Sequence, residues 1–305
     1  MPIEATRKIW MDGEYVDWDK ANVHVLTPSL HYGWGVFEGI RAYETDAGTA
    51  VFRLTDHMKR LFRSAKIYHM EPPVSLEGAV KVTKDLVTMN EVKSCYIRPL
   101  VYLGYGEIGL NPLNSPVRMM IACWPWGAYL GEEGFEHGVR AKVSSWRRLD
   151  ANIIPPAAKA TGQYLNSSLA KAEALKAGYD EGILLNPNGY VTDGSGENVF
   201  IVRDGTLLTP PPSAGCLAGI TRDSILRIAA DEGVPVREAD LVRTDLYLAD
   251  EAFFTGTAAE VVPIREVDDR VLGDPGPITR RVQEVFEAAI HGKHARYKEW
   301  AEPVG

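Results

Sequence analysis

Between residues 182 and 208 the chain reads GILLNPNGYVTDGSGENVFIVRDGTLL. Two β-rich runs flank Asn188–Gly189, and two more flank Asp204–Gly205. Asn-Gly and Asp-Gly pairs supply the two positive-φ residues of a type I′ turn, whose twist suits adjacent antiparallel strands. The pattern predicts a hairpin of Gly182–Leu185 with Tyr190–Thr192, and a second of Asn198–Val202 with Thr206–Leu208. Consecutive hairpins belong to antiparallel or mixed sheets, whereas a doubly wound parallel sheet needs a crossover between its strands.

Outward from this stretch the same signals recur. Asp12–Gly13 lies between Ile9–Trp10 and Tyr15–Val16 and predicts an N-terminal hairpin. From Arg53 to Met70 the residues Leu54, Met58, Leu61, Phe62, Ala65 and Tyr68 keep helical spacing. Ser75 is placed to cap a second helix reaching about Asn90. Ser94–Leu100, Val117–Trp124 and Val139–Ser145 read as strands. Leu165, Leu169, Ala172 and Leu175 mark a helix closed by Gly178; others run from about Ile220 to Glu232, before Gly233, and near Pro277–His291. Residues 124–134, WPWGAYLGEEG, carry three glycines and no period, and read as an interdomain connection. The expected organisation is α+β: a small N-terminal α/β domain over residues 1–123 and a larger C-terminal domain over 135–305.

Bulk composition narrows the function. The 305 residues are 45% hydrophobic and 24% charged, an ordinary globular balance. A net charge of -8 with no basic run argues against a nucleic-acid partner held through its phosphates. Three separated cysteines, Cys95, Cys123 and Cys216, support neither a zinc site nor a disulfide framework, so reduced thiols in a cytoplasmic protein are expected. The charged N-terminus lacks the apolar core of a signal peptide, and no apolar run is long enough to span a membrane. Dinucleotide-binding and P-loop motifs are missing as well.

Four segments hold residues suited to chemistry. Lys159 lies in the small, nearly uncharged stretch PPAAKA, residues 155–160. A lysine partly desolvated there has a lowered pKa and a nucleophilic neutral amine; a solvated surface lysine is the commoner alternative. In LAGIT (217–221) a glycine and a threonine open a helix, where unpaired amides and the helix dipole make an anion site, unless Thr221 only caps the helix. FTGTAA (254–259) is a second small-residue turn, able to bring hydroxyls and amides to an anion, or an ordinary tight loop. TDGSGEN (192–198) sets Asp193 and Glu197 in a glycine-rich turn after a strand. One of them can bond a protonated ring nitrogen, or the turn has no chemical role.

Together with HYG (31–33), VFEGIR (36–41), YIRPL (96–100), PWGAY (125–129), YDEG (179–182), GITR (219–222) and GTAAE (256–260), these segments resemble the branched-chain-amino-acid aminotransferases, in order and over nearly the whole chain. The resemblance implies the two-domain fold type IV of pyridoxal-phosphate enzymes, like that of D-amino-acid aminotransferase. It also implies a pyridoxal 5'-phosphate cofactor, held as a Schiff base on Lys159, which, once displaced by the substrate, moves a proton from the substrate α-carbon. Arg60 matches the phosphate-binding arginine. Leu217, Gly219, the Ile220 and Thr221 amides and the Thr221 and Thr257 hydroxyls complete that site, and Tyr164 matches the tyrosine that bonds the ring O3′. Where the family usually has Glu under the ring nitrogen this chain has Asp193, one methylene shorter, with Glu197 a second candidate.

For the substrate, Tyr32, Phe37, Gly39, Tyr96, Trp126 and Tyr129 match or adjoin an aromatic wall. Thr257 and Ala258 offer amides to the α-carboxylate, and Arg98 with Tyr32 and Tyr129 matches the group that takes the side-chain carboxylate of glutamate. Trp34 departs from the family pattern, and either narrows the pocket beside Tyr32 and Phe37 or packs outward. The implied reaction is transamination between L-leucine, L-isoleucine or L-valine and 2-oxoglutarate in a ping-pong cycle. A D-amino-acid or (R)-amine transaminase, an aminodeoxychorismate lyase, and a non-catalytic cofactor-binding protein are the alternatives. The resemblance implies homodimers, part of one small domain completing the neighbour's pocket, or hexamers, and no metal.

Overall fold

The computed structural model describes residues 3–127 and 131–305. Tyr129 lies outside the described residues. The chain forms two compact units, one of Met1–Gly127, Ala158–Gly162 and Ala289–Gly305, the other of Ala128–Ala157 and Gln163–Ala288. The border after Gly127 falls in the expected connection, but the cut into 1–123 and 135–305 is corrected. Two later segments return to the first unit, and a short helix, Gly131–His137, occupies part of the stretch read as a loop.

In the first unit eight strands form one sheet. Its spine is Cys95–Leu103, paired antiparallel along its length with Val117–Pro125. Ile40–Thr45 flanks one side, and Lys8–Met11 the other. The N-terminal hairpin turns at Asp12 and Gly13, whose φ values of 48° and 104° suit the Asp-Gly pair. The helices Leu54–Ile67 and Leu76–Met89 bury Leu54, Met58, Leu61 and Ala65, and Ala79, Leu86 and Val87, in the core of this unit. Ser75 caps the second helix as expected, its Oγ accepting the Gly78 N–H at 3.1 Å. The first helix has no local cap. Instead the Thr55 amide and hydroxyl donate to Glu302 at 2.8 and 2.7 Å, acceptors brought by the C-terminal strand Ala301–Pro303, which pairs with Gly48–Phe52.

The second unit holds a nine-stranded sheet. Both predicted hairpins are present: Glu181–Leu185 with Val191–Gly194, and Asn198–Arg203 with Thr206–Thr209, the latter turning at Asp204 and Gly205 with φ of 49° and 70°. Val139–Arg147, however, runs parallel to both Glu181–Leu185 and Glu260–Val267, and Thr206–Thr209 runs parallel to Val236–Glu238. The sheet is mixed, and its helices include Tyr164–Lys176, Ile220–Asp231 and Pro277–Ile290. Phe200 and Phe253, both fully buried, stack at 5.1 Å within it. Among the described residues no helix is long and apolar enough to cross a membrane.

Candidate active site

Lys159 is half-buried on a segment stitched to Gly35–Phe37 in the first unit. The Phe37 N–H donates to the Lys159 carbonyl at 3.0 Å, and the Lys159 N–H donates to Ser64 Oγ at 3.2 Å. One residue on, Val36 bridges Ala160, and Thr161 Oγ1 donates to the Gly33 carbonyl at 2.7 Å. Gly33, with φ 66°, has no room for a side chain: a β-carbon there would lie 2.8 Å from Gly162 Cα. The lysine's main chain is therefore fixed on both sides, while its Nζ lies 5.2 Å from the centre of the Phe37 ring.

The same ring receives a second cation. Arg98 Cζ lies 4.7 Å from the Phe37 centroid and 5.1 Å from that of Tyr96, and Arg98 Nη2 donates to Tyr96 Oη at 3.0 Å. Trp124 and Trp126 lie against Tyr96 at 5.2 and 4.7 Å. Gly39 is required by this packing, because a β-carbon there would fall 2.0 Å from Tyr96 Oη. Phe37, Gly39, Tyr96, Arg98 and Trp126 thus come together. Tyr32 stands apart from them, 44% exposed at the end of the helix Pro28–Tyr32, where it borders a hollow of about 240 Å³ with Trp34 and Leu110. Trp34 does not pack outward: it lies edge-on to Tyr68 at 5.4 Å and against the core of the first unit.

Arg60 belongs to a buried ionic cluster in this unit. Its Nε and Nη2 donate to the two oxygens of Glu38 at 2.6 and 2.8 Å, and His57 Nδ1 donates to the same carboxylate at 2.8 Å. Burial alone would raise the Glu38 carboxyl, but the charge and hydrogen bonds of Arg60, with the His57 bond, hold it down to about 2. Burial pushes His57 down, favouring the neutral ring.

In the second unit the turn after Val191–Gly194 carries the two acids. Arg148 Nε and Nη2 reach Asp193 Oδ1 at 3.0 and 2.5 Å, and Thr192 Oγ1 donates to the same oxygen at 2.8 Å. Among the described residues Oδ2 accepts no hydrogen bond, so a countercharged carboxylate keeps one oxygen for an N–H donor. Arg148 also donates to Ser167 Oγ at 3.1 Å, tying the turn to the helix that begins at Tyr164. Glu197 differs. Burial, with the Glu181 charge adding, pushes its carboxyl up to about 8, and its Oε2 accepts the Gly196 N–H at 3.0 Å.

Beside this turn Asn198 Nδ2 donates to the Leu217 carbonyl at 2.8 Å, and a β-carbon on Gly219 would lie 2.1 Å from Asn198 Oδ1. A β-carbon on Gly256 would lie 3.5 Å from Glu197 Cγ. The three small-residue turns therefore meet, Asn198 lying against Leu217 and Gly219, and Glu197 against Gly256. The helix Ile220–Asp231 opens at Gly219 without a side-chain cap, with Thr221 buried in its first turn. An uncapped helix end beside hydroxyls suits a phosphate. Within the second unit, that helix end suits a phosphate and the carboxylate with a spare oxygen suits a protonated ring nitrogen. Among the described residues no His, Cys, Asp or Glu group is arranged to hold a metal.

Residues 35–267 match the family Amino-transferase class IV. The branched-chain-amino-acid aminotransferase of Pseudomonas aeruginosa is 49% identical over 294 residues, 96% of this chain and 95% of that one. The chain belongs to the branched-chain-amino-acid aminotransferases. Its fold matches the Escherichia coli branched-chain amino acid aminotransferase with a TM-score of 0.96 at 46% identity, covering 98% of this chain and 100% of the other. The branched-chain amino acid aminotransferase of Thermobaculum terrenum, in its PLP-bound holo form, matches with a TM-score of 0.92 at 36% identity, over 99% of both chains. The fold is fold type IV, and enzymes of this family depend on pyridoxal 5'-phosphate.

Glu38, His57 and Arg148 are not visible as motifs, because they hold other side chains and carry no spacing signature of their own. The available signals are faint: a glutamate inside the apolar run VFEGI, and paired arginines closing the strand Val139–Arg147. A buried charge demands a partner, and each of these three is such a partner.

Proposed function

We propose that this protein transfers the amino group between L-leucine, L-isoleucine or L-valine and 2-oxoglutarate, in a ping-pong cycle. The observation that carries this reading is the arrangement around Phe37, whose ring has the Lys159 amine at 5.2 Å and the Arg98 guanidinium at 4.7 Å. An apolar wall with one guanidinium set into it accepts a branched aliphatic side chain and still offers a charged partner to the glutamate carboxylate.

Pyridoxal 5'-phosphate, when bound, supplies an electron sink for the charge left on the substrate α-carbon. Lys159 would hold it covalently, and its Nζ, once released as a free amine by the incoming substrate amine, would move the proton of the α-carbon. Asp193, whose Oδ1 is held by Arg148, would offer Oδ2 to the protonated ring nitrogen. By resemblance, Arg60, the amides of Gly219–Thr221 and the hydroxyls of Thr221 and Thr257 would hold the phosphate, Leu217 would shape the same turn, and Tyr164 would bond the ring O3′. Thr257 and Ala258 present amides to the α-carboxylate. Glu197, neutral below about 8, keeps its turn closed and leaves the ring nitrogen to Asp193. Phe37, Tyr96 and Trp126 face the aliphatic side chain, and Arg98, with Tyr129 by resemblance, takes the distal carboxylate.

The working form is a homodimer or a larger homo-oligomer in the cytoplasm. Tyr32 and Leu110, both exposed, line one hollow in the first unit, apolar surface that a second copy would cover. Offered L-leucine, D-alanine and (R)-phenylethylamine as donors, the holoenzyme is expected to convert L-leucine. Preference for D-alanine or the amine overturns the reading.

A further inference from the structure

One buried cluster in the first unit touches none of the reacting atoms. Glu38 is 0% exposed and His57 1%, so both are removed from water entirely. We propose that Glu38 and His57 are positioning residues that fix the Arg60 guanidinium in the orientation that receives the cofactor phosphate. The inference rests on Arg60 being the phosphate anchor.

A guanidinium recognises phosphate as a planar fork, so its plane must be set before the ligand arrives. An arginine side chain has many rotamers. Glu38 removes that freedom by taking Nε and Nη2 together at 2.6 and 2.8 Å. The carboxylate is itself held, by His57 Nδ1 at 2.8 Å and by its own main chain, whose N–H donates to the Pro99 carbonyl at 3.0 Å. His57 and Arg60 lie one turn apart on the helix Leu54–Ile67, and Ser64, a further turn on, accepts the Lys159 N–H. Phe37, adjacent to Glu38, takes the Lys159 carbonyl. One strand and one helix therefore locate both the lysine main chain and the guanidinium, and Glu38 joins the strand to the helix.

Removing the Glu38 charge has two effects of opposite sign. Electrostatics alone would tighten phosphate binding, because Arg60 would no longer be offset by a carboxylate. Loss of orientation weakens it. Positioning predicts that the second effect wins. The test is titration of the cofactor-free full-length protein with pyridoxal 5'-phosphate and, separately, with pyridoxal, which lacks the phosphate.

In Glu38→Gln the ratio of the two affinities should fall about tenfold or more, with pyridoxal affinity little changed. His57→Leu should lower the ratio in the same direction, and His57→Asn, which keeps a donor near Nδ1, should restore most of it. The His57 pair decides the matter if Glu38→Gln does not fold. A ratio unchanged in both Glu38→Gln and His57→Leu makes the cluster purely structural and overturns the inference, and so does a ratio that rises. Arg60→Ala separates the two layers. If it too leaves the ratio unchanged, the phosphate-anchor reading fails along with the inference. If it lowers the ratio while the Glu38 and His57 variants do not, only the positioning role fails.

Discussion

Gly39→Ala adds one methyl group and tests whether Tyr96 and Arg98 act as a unit toward a carboxylate. The backbone at Gly39 is not in the left-handed region, so alanine meets no conformational penalty and the effect is purely steric. The new β-carbon would lie 2.0 Å from Tyr96 Oη, and ordinary contact begins near 3.4 Å, so the phenol must retreat by roughly 1.4 Å. Retreat is hindered, because Tyr96 is 6% exposed and lies against Trp124 and Trp126 at 5.2 and 4.7 Å. Its 3.0 Å bond from Arg98 is lost in the process. A hydrogen bond to a charged group contributes about 1.5–3 kcal/mol, equivalent to about ten- to a hundredfold in kcat/KM. The loss should fall on L-glutamate and 2-oxoglutarate, which need the guanidinium in place, and far less on L-leucine. Arg98→Ala should show the same bias more strongly. Steady-state kinetics with both donors reads the ratio, and equal losses for glutamate and leucine, or no loss for either, would refute the reasoning.

Other consequences follow from single residues. The Glu197 carboxyl, raised to about 8, retains its proton in the folded chain where the unfolded chain has lost it, so stability falls as pH rises from the unfolded value of 4.5 toward 8. Glu197→Gln removes that slope, and urea melts across this range should show the variant gaining up to about 5 kcal/mol on the parent at the alkaline end; parallel profiles would contradict the shift. Arg148→Met strips the countercharge from a carboxylate 11% exposed and should cost about 3–5 kcal/mol, most of it recovered in the Arg148→Met/Asp193→Asn double variant; a strictly additive double variant would sink the pairing. Ser75→Ala deletes the 3.1 Å cap to Gly78 and should lower unfolding free energy by about 1 kcal/mol, with Ser75→Asp close to the parent.

Much of the second unit is legible in the chain because its turns are local. Asp204–Gly205 needs only its own φ preferences to dictate a hairpin, and Gly178 and Gly233 close their helices by the same means. Strand direction is less visible. Nothing in Val139–Arg147 records that both its neighbours run parallel to it, since side-chain alternation is the same in either direction. The region from Gly35 to Phe52 escapes prediction for a related reason. Gly35–Phe37 is three residues long, and its extended form comes from distant partners in Cys95–Leu103 and at Ala160. At the site, Lys159, the glycine-rich turns and the aromatic wall are readable because each lies in a segment that carries a motif. Glu38, His57, Arg148 and the Glu302 cap are not, because their partners lie as far as 247 residues away in sequence.

The central claim is that Lys159 alone carries the cofactor. It is tested most directly by reducing the holoenzyme with borohydride, digesting it, and locating the phosphopyridoxyl mass on a peptide. The account predicts the label on Lys159, and its disappearance when L-leucine is added first without an oxo acid, because the amino donor displaces the lysine. A label on any other lysine, or one on Lys159 that L-leucine does not reduce, would contradict it.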